Sequence, residues 1–143
     1  MIDWSSIADH IADVSGRPFE PEPPRSLGGG CINTAVTLGA GERSFFVKLN
    51  NADRLDMFEA EAAGLAEIAA TGNLRVPAPL CTGVAGGQAY IVMEYIRLGN
   101  HRSESPAEAG RRLAAMHRSV HSAFGWHRDN TIGSTPQLNG QMG

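Results

Sequence analysis

The fold is decided by a seven-residue stretch, Ser44-Phe45-Phe46-Val47-Lys48-Leu49-Asn50. Its alternation predicts a β-strand with Phe46 and Lys48 on one face and with Phe45, Val47 and Leu49 on the other. Lys48 is the only lysine among the 12 Lys and Arg residues of the chain. A chain that uses arginine everywhere else has kept one lysine inside an apolar strand. This favours a functional lysine over one that merely snorkels to water.

Periodicity and turn residues on both sides of this strand predict an order of helix, three strands, helix, two strands, helix and irregular tail. The helices are expected at 3–14, 54–70 and from Pro106 to about His121. A strand is expected to end near Leu27, and others to cover 32–38, 44–50, 80–84 and 88–96. The proline-rich residues 18–24 read as an extended connector, and residues 122–143 as irregular.

This order indicates an α+β fold, a protein-kinase-like small lobe with a five-stranded antiparallel sheet plus helix, followed by the start of a helical large lobe. We expect residues 1–96 to form a nucleotide-binding lobe. Residues 97–143 would then hold the hinge exit, the first large-lobe helix and a connecting segment.

Composition excludes several other classes. The chain is 42% hydrophobic and 19% charged, which favours a packed core, and its net charge of −3 argues against a nucleic-acid partner. The two cysteines, Cys31 and Cys81, form no CxxC pair, which argues against a disulfide framework or a cysteine zinc site. No apolar run approaches the ~18 residues needed to cross a membrane, and no basic leader is seen. The expected location is cytoplasmic, without a membrane partner.

The glycine run Gly28, Gly29 and Gly30 stands between two predicted strands, where backbone N–H groups can approach phosphates closely. It continues through Cys31 to Asn33 as Gly-x-Gly-x-x-Asn, so it lacks the last glycine of GxGxxG. It also lacks the Walker GK[ST], and no βαβ unit surrounds it. Taken alone, an ordinary glycine turn explains it equally well.

A helix carboxylate is needed to aim the strand lysine. Glu59 and Glu61 are two residues apart, about 200° around a helix, so they cannot both face the sheet. Glu61 lies nearer the apolar stripe and is the preferred partner of Lys48. The alternative for either residue is a solvated helix acid.

Residues 91–96 are an apolar strand that runs into a short connection, as an interlobe hinge does. We expect backbone groups of Glu94 and Ile96, on either side of Tyr95, to hold an adenine, with Met93 packed behind it. A plain buried strand is the alternative.

Five strings carry a family resemblance: GGGCINTA at 28–35, FVKLN at 46–50, MFEAE at 57–61, RVPAPL at 75–80 and FGWHRDNTIGSTPQ at 124–137. They cover most of the chain, and in these strings it resembles the fructosamine kinases, or ketosamine-3-kinases, which are related to the aminoglycoside and choline kinases.

The resemblance implies ATP-dependent phosphorylation, with Mg²⁺, of the 3-hydroxyl of ketosamines, either as small molecules or on glycated protein, in protein deglycation. The glycine loop, Lys48, Glu61 and the hinge at 94–96 would inherit nucleotide-binding roles. Residues 130–137 would lie toward the active cleft.

The chain departs from the family at one important point. It contains no His-Gly-Asp-Leu-Trp catalytic loop and no metal-binding Asp after it, so no general base and no Mg²⁺ ligand is assigned, and the chain alone is expected to have little or no kinase activity. His127-Arg128-Asp129 imitates the HRD of protein kinases, but Ser134 stands where that motif has Asn and no DFG follows. Asp129 is expected to cap a loop.

Three alternatives for the chain remain open. The first is another small-molecule kinase, acting on an aminoglycoside or choline. The second is a non-catalytic nucleotide-binding or interaction fragment that dimerises through Cys31 or its large-lobe face, and the third is a truncated gene product. For Cys31 itself two interpretations remain, a redox switch on ATP binding and a small loop filler.

Overall fold

The computed structural model describes residues 1–28, 32–99 and 105–140. Gly29, Gly30 and Cys31 of the predicted glycine loop lie outside the described residues. The elements, in chain order, are α1 (Trp4–Ser15), β1 (Arg25–Leu27), β2 (Thr34–Ala40), β3 (Arg43–Asn51), a 3₁₀ turn (Ala52–Arg54), α2 (Leu55–Ala70), β4 (Pro79–Ala85), β5 (Gln88–Glu94), α3 (Pro106–Met116), β6 (Asn130–Ile132) and β7 (Thr135–Gln137).

The first five strands form one antiparallel sheet in the order β1-β2-β3-β5-β4, which confirms the predicted architecture. Tight turns set its register. Gly41 has φ +61° between β2 and β3, and Gly86 and Gly87 have φ +56° and +77° between β4 and β5. Two consecutive positive φ angles are the turn geometry that matches the twist of a hairpin. The first turn aligns Ala35 with Lys48, and the second aligns Gly83 with Tyr90. Pairing of β3 with β5 then places Ile91 beside Lys48.

Each face of the sheet is covered by one helix. On one face, α1 buries Ile7 and Ile11 against strand residues that include Val47. On the other, Phe58 of α2 is fully buried against Ile91 and Met93. Successive residues of β3 and β5 therefore contribute to different cores, as strand alternation requires. The predicted division of β3 is confirmed.

The start of α1 is capped by Asp3, whose carboxylate accepts hydrogen bonds from the Ser6 N–H and from the hydroxyls of Ser6 and Ser5. These hydrogen bonds lower the pKa of Asp3 to about 2, with the largest contribution from the Ser6 hydroxyl and the next from the Ser5 hydroxyl. Gly16 ends the helix in the left-handed conformation. The connector at 18–24 then follows the sheet edge, with the Glu22 N–H donating to the Gly39 carbonyl.

Three predicted boundaries are wrong, because the pairing or packing partners of these elements do not extend as far as the apolar sequence pattern. β2 begins at Thr34 rather than Ile32, where its pairing with Leu49 starts. β5 ends at Glu94 rather than Ile96, with its last partner at Phe45. α3 ends at Met116 rather than near His121; Val120 is 84% exposed.

The expectation of an irregular tail is also wrong, because β6 and β7 form a hairpin that turns at Gly133, with φ +61°. Asn139 ties its base together by donating its backbone N–H to Asp129 Oδ1 and its amide to Asn130 Oδ1, both at 2.8 Å. Side-chain bonds close this hairpin, so hydrophobic periodicity does not reveal it. In the described ranges, no helix is long and apolar enough to span a lipid bilayer.

The side chain of Tyr90 on β5 lies over Gly83, its cross-strand partner on β4. Tyr90 is 4% exposed, and its hydroxyl contacts His10 Nδ1 at 2.6 Å. Burial, and secondarily the nearby Cys81, raises the pKa of Tyr90 to about 12. Burial likewise raises the pKa of Cys81 to about 11, so this thiol is protonated at neutral pH.

Gly83→Ala is expected to lower the free energy of unfolding by about 1–3 kcal/mol, the usual cost of overpacking. The new methyl group would lie 2.6 Å from the Tyr90 hydroxyl, and Tyr90 can retreat only by losing His10. The matched control is Gly64→Ala in α2, where an added Cβ meets nothing within 4 Å; it should stabilise by about 0.5–1 kcal/mol. Urea denaturation measures both, and equal effects of the two substitutions would contradict this packing.

Candidate functional site

Lys48 and Glu61 form the ion pair predicted from the sequence. Lys48 Nζ lies 2.7 Å from Glu61 Oε1 and 2.9 Å from Oε2. The side chains are 24% and 29% exposed. Phe58 anchors α2 against the sheet, and Glu61, about one turn later, reaches over β3. The pairing is confirmed, whereas the role of the pair in binding a nucleotide stays a prediction.

Glu59 points away from this pair, as the 200° argument predicts. Its Oε2 lies 3.4 Å from a guanidinium nitrogen of Arg128. The two acids of the MFEAE string therefore have different partners: Glu61 pairs with Lys48 on the sheet, and Glu59 contacts Arg128, just before β6.

Lys48 lies within a row of small and apolar residues that crosses the sheet. Antiparallel register places Leu27, Ala35, Lys48 and Ile91 in one cross-strand row. Thr37, Phe46 and Met93 form the next row. Cross-strand neighbours lie only about 4.5–5.5 Å apart. We call these seven residues the sheet floor. Ile91 and Met93 are buried beneath α2. The remaining small and apolar side chains beside Lys48 suit a flat ligand with a negatively charged end.

Sequence reasoning placed Phe46 on the face of Lys48 and Ile91 in the hinge strand, but it missed three residues of the floor: Leu27, Ala35 and Thr37. The available signal was register, since the turn at 40–43 already aligns β2 with β3. Ala35 matters most, because it is the cross-strand partner of Lys48.

The segment after β5 runs along the edge of the floor. Met93 is 3% exposed and packs with Phe58 of α2, and its expected place behind an adenine stays a prediction. The Glu94 N–H donates to the Ala78 carbonyl at 2.8 Å, which leaves its own carbonyl and the backbone of Ile96 as the groups that could face a ligand. The Glu94 carboxylate binds Arg75.

A cleft of about 620 Å³ opens at this edge, and Tyr95 and Leu27 are among its lining residues. It joins the end of β1, where the glycine run begins, to the predicted hinge. Gly28 is exposed and has no neighbour within 4 Å of an added Cβ. The far end of the loop is held in place because Asn33 Oδ1 accepts a 2.7 Å hydrogen bond from the Asn50 amide.

The hairpin segment closes a second cleft, of about 410 Å³, between α2 and the end of the glycine loop. Glu61 lines it together with Asn130, Thr131 and Gly133. Asn130, Thr131 and Gly133 therefore share a cleft with Glu61, whereas Ile132 and β7 are exposed.

Asp129 accepts the Asn139 N–H and acts as the loop-capping acid predicted for it. Among the described residues, no three His, Cys, Asp or Glu side chains are grouped so as to hold a metal ion.

A five-stranded antiparallel sheet, a strand lysine and a helix glutamate paired above it define the class of this structure, the small lobe of the protein-kinase-like fold. The family model described as fructosamine kinase matches residues 3–142. The chain belongs to the fructosamine kinase family.

Curated relatives agree with this assignment. A probable ketoamine kinase of Synechocystis sp. is 47% identical over 137 residues, 95% of this chain and 46% of the relative. The chloroplastic protein-ribulosamine 3-kinase of Oryza sativa subsp. japonica is 45% identical over 117 residues, 80% of this chain and 34% of the relative. The chain thus spans about half or less of the length of these relatives.

A crystal structure from Haemophilus somnus 129PT, provisionally named a fructosamine-3-kinase, superposes with a TM-score of 0.89. It shares 24% identity over 97% of this chain and 48% of its own. This likeness establishes the fold.

The lone lysine makes the ion pair directly observable. A protein grown with isotope-labelled lysine has a single Lys48 Cε–Hε signal in its NMR spectrum. Glu61→Gln should move that signal, because the variant removes the charge 2.7 Å from Nζ, whereas Glu42→Gln, an exposed acid in the β2–β3 turn, should not. Identical spectra of wild type and Glu61→Gln would mean that the pair does not form in solution.

Proposed function

We propose that this chain binds ATP on the sheet floor, as the nucleotide-binding part of a ketosamine kinase. The observation that carries the proposal is the Lys48–Glu61 pair on the sheet floor, whose edge the predicted hinge follows. Lys48 would hold the α- and β-phosphates and Glu61 would aim it, while the N–H groups of the loop at 28–33 would cover the phosphates. Backbone groups at 94–96 would bind the adenine.

The proposed substrate is the 3-hydroxyl of a fructosamine or ribulosamine, free or on a glycated protein. The names of the curated relatives, ketoamine kinase and protein-ribulosamine 3-kinase, support this choice over an aminoglycoside or choline. The cytoplasm is the proposed location, supported by the use of two cysteines without a CxxC pair.

Transfer of the phosphoryl group would need groups that these 143 residues do not offer. The sequence holds no His-Gly-Asp-Leu-Trp string, and Asp129, its nearest imitation, is engaged with Asn139. A positioned general base alone contributes about 10²–10⁴ in rate. We therefore propose nucleotide binding at residues 1–96 without turnover by this chain, and we assign no Mg²⁺ ligand to it.

Lys48→Ala is expected to weaken ATP binding about 10- to 100-fold, because a hydrogen bond to a charged group is worth about 1.5–3 kcal/mol. Isothermal titration of the chain with ATP measures the loss. Arg111→Ala, which breaks an exposed pair on α3, is the matched control and should bind like the wild type. Equal ATP affinity of Lys48→Ala and Arg111→Ala would refute the proposed site.

A second measurement separates binding from chemistry. The purified chain, given ATP, Mg²⁺ and a ribulosamine-bearing peptide, should form no 3-phosphate above the rate without protein. Mass spectrometry of the peptide detects the added phosphoryl group. Turnover that is lost in Lys48→Ala would show that a base exists within these residues and would overturn this part of the proposal.

A further inference from the structure

The segment 126–139, which we call the hairpin clamp, binds α2 at both ends of the helix. Trp126 Nε1 donates to Glu67 Oε1 at 2.6 Å, and His127 Nδ1 lies 3.4 Å from the same oxygen. Arg128 reaches Glu59 Oε2 at 3.4 Å and the Asp56 carbonyl at 3.5 Å. The contacts therefore extend over most of the length of α2.

These polar contacts are made by α2 residues that point away from Glu61, whereas the hairpin turn lies across a cleft that Glu61 lines. At about 100° per residue, Asp56, Glu59 and Glu67 lie roughly 160–240° around the helix from Glu61. A rotation of α2 by one residue, about 100°, would carry Glu61 away from Lys48 and would break the clamp contacts as well. The clamp and the ion pair thus fix the same rotation from opposite sides.

Packing of α2 on the sheet rests on one large, fully buried side chain, Phe58, with Leu55, Met57, Ala62 and Leu65 only partly buried around it. Phe58 and Ala60 are the only buried residues of α2, and the helix around Glu61 is built from small residues, Ala60, Ala62, Ala63 and Gly64. Small side chains make few van der Waals contacts. A second set of contacts therefore helps to hold one orientation.

The clamp is itself held as a unit. The Asn139 amide donates to the Arg128 carbonyl, and the Asn139 carbonyl accepts the Trp126 N–H at 2.8 Å. Its turn also touches the glycine loop, because a Cβ added at Gly133 would lie 3.2 Å from Ile32 Cδ1. The clamp therefore contacts both α2 and the end of the glycine loop.

We propose that Trp126 and Arg128 are positioning residues that hold α2 in the rotation at which Glu61 pairs with Lys48. The inference rests on the proposed function only where ATP affinity is concerned. Loosening the clamp would let Glu61 leave Lys48 in part of the population, and the affinity for ATP would fall by that fraction.

The test follows the Lys48 signal of lysine-labelled protein in Glu67→Met and Arg128→Met. Both substitutions keep an aliphatic stem and remove the polar contact. Glu67 is 46% exposed, so its variant is expected to fold. Arg111→Met makes the same chemical change on α3, away from the clamp. Thermal unfolding is recorded for every variant, and spectra are taken well below the midpoint.

The Lys48 signal in both clamp variants should move toward its position in Glu61→Gln, and ATP affinity should fall about three- to tenfold. In a Glu61→Gln background the same substitutions should change affinity no further, because they act through Glu61. The Arg111→Met signal should stay at the wild-type position.

Three results are diagnostic. Clamp variants that are less stable but keep the wild-type Lys48 signal would overturn the inference, since the clamp would then be only structural. An undiminished affinity loss in the Glu61→Gln background would overturn it as well. The Lys48 signal of the wild type could fail to respond to ATP and yet differ in position in the clamp variants. That result would refute the nucleotide site and support the positioning role.

Discussion

The ion pair between Lys48 and Glu61 is the interaction on which the rest of the site depends. Both side chains are about three-quarters buried, so each charge loses much of its hydration and requires the other. A pair of this exposure contributes little to stability, because its Coulomb attraction is offset by desolvation and screened by water. Its value lies in geometry, since it fixes a cation at a defined point on the sheet.

The neighbouring elements hold Lys48 and Glu61 at the positions where they pair. Strand register brings Ala35 next to Lys48, while Phe58 packs against Met93 and holds α2 on the same face of the sheet. The hairpin clamp reaches the opposite side of α2 through Trp126 and Arg128. The sheet fixes the cation, and the helix, held from both sides, fixes the carboxylate.

Sequence reasoning identified the elements and the central pair because both follow from local patterns. Alternation separates Lys48 from Val47, and helical spacing separates Glu61 from Glu59. The sheet floor was missed because register depends on turn geometry between strands, which periodicity does not report. The clamp was missed because it is held by hydrogen bonds from Asn139 to side chains 9 and 10 positions earlier in the chain. The predicted α3 was too long because Val120 matches the helical apolar pattern but is 84% exposed.

Titration of lysine-labelled protein with ATP, observed at Lys48, tests the central claim most directly. The account requires a saturable change of this one signal with ATP and none with adenosine, because Lys48 would contact phosphate rather than base. It also requires a much weaker response in Glu61→Gln. A Lys48 signal that stays fixed while ATP binds elsewhere on the chain, or that responds equally to adenosine, would contradict the account.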